Sequence, residues 1–234
     1  MTLAPKVAVD WKPRLAREED IPALEALIPV SVRTLQTSYY SPAQMEAALG
    51  PVVGVDRQLI RDGTYFVVEH DAQIVGCGGW SKRKSLYGGD NGRAGEDALL
   101  DPQRDPARVR AFFVHPAWAR RGIGRSIMVA CERAIMEAGF RSVEIVATLA
   151  GEPLYASFGY AVVERYEITM AGGLRLPVVR MTRSMETPSL VGQIPPNKVG
   201  QANPCCSCLP YVGVVAGDGI EPPTQGFSVL CSTD

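Results

Sequence analysis

A chain of 234 residues with 46% hydrophobic and 21% charged residues has the composition of one globular domain with room for an appendage. Its net charge of -1 argues against a field that would draw nucleic acid or an anionic membrane surface. No apolar run approaches the ~20 residues of a membrane span, and the first twenty residues lack the continuous apolar core of a signal peptide. These features read as a soluble cytoplasmic protein with no nucleic-acid or membrane partner.

Residues 1–13 read as a flexible lead-in, and Arg14 to Arg17 as a short strand. Asp20 is placed to cap a helix carrying Ile21, Leu24, Leu27, Ile28, Val32 and Leu35, with Pro22 tolerated in its first turn. Ser41-Pro42-Ala43-Gln44 has the form of a capping box that opens a second helix through Leu49, and Gly50-Pro51 ends it. Arg57 to Asp62 adds a further helical turn. Thr64 to Glu69 and Gln73 to Trp80 form a hairpin about His70-Asp71-Ala72. Residues 82–106 are a long polar loop of the kind that is functional or unstructured.

Val109 to Val114 is an apolar strand that runs into His115-Pro116 and then a basic, Gly-rich turn from Arg120 to Arg125. Ile123, Ile127, Ala130, Cys131, Ala134 and Ala138 then recur on one helical face, and Gly139 caps the helix. This order, strand then Gly-rich turn then helix, suits a phosphate or pyrophosphate. The first N–H groups of a helix lack internal partners, and the helix dipole adds positive charge there. The spacing fits neither G-x-x-x-x-G-K-[ST] nor G-x-G-x-x-G, which excludes a P-loop and a dinucleotide fingerprint. Ser142 to Ala147 is a strand, Glu152 to Phe158 a short helix, and Tyr160 to Met170 and Leu174 to Thr182 the last strands.

Residues 14–185 form the domain. Residues 186–234, rich in Pro, Gly, Ser and Cys, read as a disordered or artefactual tail. Cys205, Cys206, Cys208 and Cys231 lie there without a nearby His, and His70 and His115 are isolated, so no metal site is expected. Both histidines read as surface turn residues.

Two stretches carry a resemblance. Val114-His115-Pro116 followed by Arg120-Arg121-Gly122-Ile123-Gly124 resembles the acetyl-CoA-binding segment of the GNAT acetyltransferases, V-x-P then [QR]-x-x-G-x-[GA], with Ala119 in the first position of the second motif. Leu154-Tyr155-Ala156-Ser157-Phe158-Gly159-Tyr160 resembles the family's [LF]-Y-x-x-x-G-[FY], although the Asn that often precedes it is missing from Leu149-Ala150-Gly151-Glu152. The pattern as a whole is similar to a stand-alone bacterial-type branch. The resemblance implies a mixed α/β (α+β) acyl-CoA N-acyltransferase fold, a central mixed sheet flanked by helices. It implies transfer of an acetyl group from acetyl-CoA, as co-substrate and without a metal, to a primary amine of a small molecule or peptide.

The resemblance further implies that the backbone of Phe113 and Val114 and the turn of Arg120, Arg121, Gly122, Ile123, Gly124, Arg125 and Ser126 hold the cofactor. Tyr155 is the implied general acid for the leaving thiolate, while Phe158 and Tyr160 read as core. Glu69 and Glu96 are carboxylates in reach of no assigned base role. Tyr39, Tyr40 and Trp80 are candidates for an acceptor pocket, and packing explains them about as well. Many relatives pair, so a homodimer is compatible with the resemblance. A catalytically silent acyl-CoA-binding or interaction domain is the alternative.

Overall fold

The computed structural model describes residues 10–85 and 98–185. Glu96 and the tail cysteines lie outside them. Seven strands form one sheet: β1 (Arg14–Leu15), β2 (Tyr65–His70), β3 (Gln73–Ser81), β4 (Ala107–Val114), β5 (Ser142–Thr148), β6 (Ala161–Thr169) and β7 (Arg175–Ser184). Their order is β1-β2-β3-β4-β5-β7-β6, and every pairing is antiparallel except β4 with β5. Helices α1 (Ile21–Leu35), α2 (Pro42–Ala48) and α3 (Arg57–Arg61) belong to the core on one face, α4 (Ile123–Glu137) to that on the other, and α5 (Glu152–Ala156) follows β5.

Local signals act as the sequence suggests in most places. Ser41 accepts from the Gln44 N–H at 3.3 Å while the Gln44 side chain accepts from the Ser41 N–H at 2.9 Å, so the capping box is closed in both directions. Beyond α4, Phe140 N–H bonds Ile135 C=O and Gly139 N–H bonds Met136 C=O, with Gly139 left-handed at φ 85°. That pair of bonds is the Schellman ending. The buried stripe of α4 is Ile123, Ile127, Met128, Cys131 and Ile135, rotated from the alanine-rich face expected, because the larger side chains win the core. Asp20 does not cap α1. It takes the Arg17 N–H at 2.8 Å and the Arg14 guanidinium, closing a short 3₁₀ turn (Glu18–Asp20) ahead of the helix. Glu69 is Arg14's other carboxylate, a surface ion pair.

Two features shape the middle of the sheet. A β-carbon on Gly76 would lie 2.4 Å from the Ile123 side chain, so the bare backbone of β3 is what lets the start of α4 settle against the sheet. In β4, Ala111 and Phe112 together oppose Gly78, since Arg110 pairs with Gly79 and Phe113 with Cys77. This is a bulge, and Ala111 adopts φ 60° to make it. β4 and β5 stay paired only from Ala107–Val143 to Val109–Ile145. Just ahead of the bulge they part.

Beside the bulge, the Arg110 Nε lies 2.9 Å from the Asp56 carboxylate, and both side chains are buried, at 5% and 1% exposure. Asp56 also caps α3 through the Leu59 N–H. Asp56→Ala strands a buried guanidinium and removes the cap, so it should cost about 3–5 kcal/mol, read as a lowered urea midpoint. A loss near zero would show that water reaches and solvates Arg110.

Candidate functional site

The site begins where β4 and β5 diverge. The gap is a half-open cleft. It is lined by the β4 bulge (Arg110, Ala111, Phe112, Phe113), by Ile145 to Thr148 of β5, and by Tyr155 of α5. Gln36, the turn between α2 and α3 (Val52, Val53, Gly54), and Ile168, Leu176 and Val178 complete it. Ile145, Ala147 and Tyr155 pack on the α4 face, whereas Val146, Leu176 and Val178 pack on the α1 face. The cleft therefore passes through the sheet.

The Gly-rich turn does not line this cleft; it lines a second, more open depression with Trp11, Pro13 and Phe66. Arg120 (φ 61°) and Gly122 (φ 91°) are both left-handed, which curls the main chain ahead of the helix. The first helical bond is Ser126 N–H to Gly122 C=O at 2.9 Å, so the N–H groups of Ile123, Gly124 and Arg125 precede any internal partner. The Ser126 hydroxyl donates to Ile123 C=O, and both of its donors are thus turned inward. Ile123 is 1% exposed and offers only its backbone. The Arg121 guanidinium lies over Trp118 at 4.8 Å and that of Arg125 over Phe158 at 5.1 Å. Both charges stay beside the helix start without a carboxylate to neutralise them among the ion pairs of the described residues.

Trp11 was expected in a loose lead-in. It is 8% exposed, and its Nε1–H donates to the Arg121 carbonyl at 2.7 Å. Its ring meets Trp118 edge-on at 5.8 Å and His70 at 6.0 Å, and His70 tilts over Trp118 at 4.2 Å. His70 therefore remains partly solvated at the hairpin, as expected, while one face of its ring joins an aromatic brace behind the turn. His115 accepts the Ala117 N–H and caps the short 3₁₀ turn Pro116–Trp118, a turn role as expected.

Tyr155 is 5% exposed, lines the cleft, and packs edge-on against Phe112 and Tyr160. Burial pushes its phenol well above the ordinary value near ~10, so it is held neutral and can donate. Leu154, its neighbour, would sit 3.3 Å from a β-carbon on Gly124, so α5 and the Gly-rich turn adjoin. Phe113 and Tyr155 thus share one cleft, and the turn adjoins it through Leu154.

Val114 is placed differently from expectation. His115 N–H bonds Val75 C=O, so by alternation Val114 points its N–H away from β3, and there Ser31 of α1 receives it at 3.3 Å. Ser31 is 5% exposed, and no periodic or motif signal marked it. The suggested acceptor aromatics also lie elsewhere. Trp80 packs on Phe140 on the α4 face. Tyr40 donates to Pro177 C=O at 2.7 Å and accepts from Leu149 N–H at 2.9 Å, tying the end of β5 to β7. Tyr39 is 47% exposed and does not line the cleft. Tyr160 is core as expected, and Phe158 is half-buried under Arg125.

Among the described residues there is no group of three metal-ligating side chains, and no helix is long and apolar enough to cross a membrane. Residues 61–162 match a family model described as an acetyltransferase (GNAT) domain. Comparison with curated proteins gave no match. Among solved structures, a GCN5-related N-acetyltransferase from Rhodopseudomonas palustris aligns at TM-score 0.57 and 20% identity, covering 77% of this chain and 99% of that one. A ribosomal-protein-alanine N-acetyltransferase from Brucella melitensis aligns at 0.51 and 17%, covering 74% and 99%. A PaiA N-acetyltransferase from Thermoplasma acidophilum, solved with coenzyme A, aligns at 0.50 and 12%, covering 75% and 99%. At these identities the likeness is one of fold. The match to the GNAT acetyltransferase domain thus rests on residues 61–162, and the seven-stranded mixed sheet that contains them shares its fold with these acetyltransferases.

Proposed function

We propose that the protein transfers an acetyl group from acetyl-CoA to a primary amine by direct attack, with Tyr155 as general acid. The observation that supports this most is a buried, neutral phenol lining the cleft from α5, the short helix whose Leu154 adjoins the α4 N-terminus at Gly124. The turn suits a pyrophosphate, because Gly122 is left-handed, Gly124 has no side chain, and Arg121 and Arg125 carry uncommitted charge. Acetyl-CoA supplies the activated thioester.

Within the cleft the residues have separate tasks. The bulged segment of β4 presents main-chain groups to the gap, which suits alignment of an extended arm by backbone hydrogen bonds. A neutral amine attacks the thioester carbon: a C–N bond forms, the C–S bond breaks, and the sulfur takes a proton from Tyr155. The proton lost by nitrogen goes to water, since no Asp, Glu or His lines the cleft among the described residues. The phenoxide of Tyr155 regains its proton from the same water.

A second reading, acyl-CoA binding without turnover, draws on the Val114 N–H already held by Ser31 and on the absent Asn before α5. Release of free thiol from acetyl-CoA in the presence of an amine separates the two.

Gly124→Glu puts a carboxylate at the positive end of α4 and against Leu154, and it should weaken acetyl-CoA binding by about 100-fold or more in calorimetry while far-UV dichroism is retained. Tyr155→Phe should leave acetyl-CoA affinity unchanged and lower kcat about 100-fold. Because burial raises the Tyr155 phenol, it stays protonated from pH 6 to about 10, and the wild-type rate should climb with pH as the amine loses its proton. A fall in rate between pH 7 and 9 would remove Tyr155 from the acid role. Trp11→Phe keeps an aromatic ring but deletes the bond to Arg121, and should weaken acetyl-CoA binding about 5-fold with kcat unchanged.

A further inference from the structure

We propose that the acceptor is a primary amine carried on an apolar, otherwise uncharged body; this rests on the acetyltransferase reading above. Tyr155 stands on the α4 side of the cleft and its neighbour Leu154 adjoins the Gly-rich turn, so a cofactor held by that turn leaves the α1 end for the second substrate. That end is walled by Val52, Val53, Ile168, Leu176 and Val178, drawn from the α2–α3 turn and from the two strands beyond β5. Val53, Ile168, Leu176 and Val178 are no more than 9% exposed, so the wall is held by the core behind it and does not fold away from a ligand. An alkyl or arylalkyl body laid against it removes apolar surface from water on both sides.

The polar groups at this end select against added charge. Gln36 lines the cleft, and its side-chain amide makes no hydrogen bond among the described residues, so its carbonyl can accept from the attacking nitrogen. The ionised side chain in the lining is Arg110, whose carboxylate partner Asp56 is 1% exposed and does not line the cleft. A second ammonium on the acceptor would lose its hydration against valine and leucine and meet no carboxylate in the lining, while Arg110 is already paired with Asp56. A neutral tail avoids that penalty. The substrate class is therefore a monoamine with an apolar tail, and polycationic amines are disfavoured.

The test compares n-pentylamine with 1,5-diaminopentane, equal in length and differing in one terminal ammonium, as acceptors for the full chain, with release of thiol from acetyl-CoA as the readout. The expected kcat/KM favours pentylamine by about 10-fold or more. Val52→Asp, a partly exposed turn position, should move the ratio about 10-fold toward the diamine while calorimetric acetyl-CoA affinity holds. Wild-type protein that binds acetyl-CoA but acetylates the diamine as well as the monoamine, or neither, overturns the assignment. Protein that does not bind acetyl-CoA at all overturns the acetyltransferase reading instead, and the two failures are told apart by the calorimetry.

Discussion

The structure depends on one backbone distortion, the bulge at Ala111. A non-glycine residue in the left-handed region costs roughly 1–2 kcal/mol, so something must hold it there. Tyr65 does so from below: fully buried, it donates its hydroxyl to the Ala111 carbonyl at 3.0 Å. Gly78 does so from the side, since the Phe112 ring occupies the space a β-carbon would need, 2.6 Å away. The pairing of β4 with β5 ends after three positions, at Val109, just ahead of the extra residue. The separation of two parallel strands in the centre of a sheet leaves main-chain groups without a ladder partner, and those groups border the cleft. Every other feature of the site is placed relative to that opening, including Tyr155 at one end of it and Ser31 over the N–H of Val114.

Much of this was legible locally. The α4 helix, its Gly-rich start and its Gly139 ending follow from residue types at adjacent positions, and the Ser41 box is a four-residue signal. What could not be read is set by pairing across the chain. Trp11 bonds Arg121, 110 positions away, and Ser31 meets Val114, 83 positions away. Neither sits in a periodic pattern, and a single Trp beside Lys12 and Pro13 looks like a linker residue until its partner is known. The bulge also lies beyond local reading, because an alanine in a left-handed conformation carries no composition cue. One extra residue changes which side of β4 faces which layer, so alternation along the strand misleads beyond it. Tyr40 and Trp80 stay open between pocket and packing in the sequence for the same kind of reason, and the structure shows both packed. Aromatic residues are read as pocket-forming or core-forming only once the face of the sheet they occupy is known.

The distribution of arginine completes the picture. Arg14, Arg33 and Arg165 are each bonded to carboxylates at the surface, where such pairs contribute little to stability. Arg110 and Arg108 are buried or nearly so and paired with Asp56 and Glu144, where loss of a partner would be costly. Arg121 and Arg125 differ from both groups in lying on aromatic faces beside the α4 N-terminus. A cation over an aromatic ring keeps its charge unneutralised and most of its donors free, while the ring limits the conformations it samples. When an anion arrives, these two guanidiniums give up a contact of about 0.5–1 kcal/mol in exchange for charge-assisted hydrogen bonds that are stronger. The brace of Trp11, Trp118 and His70 therefore does two things at once: it fixes the carbonyl that shapes the turn, and its Trp118 face holds one of the turn's charges ready. Removal of the Trp118 ring would separate those roles from each other only in part, because the same ring supports Trp11. The geometry of the turn and its electrostatics are consequently coupled through one side chain.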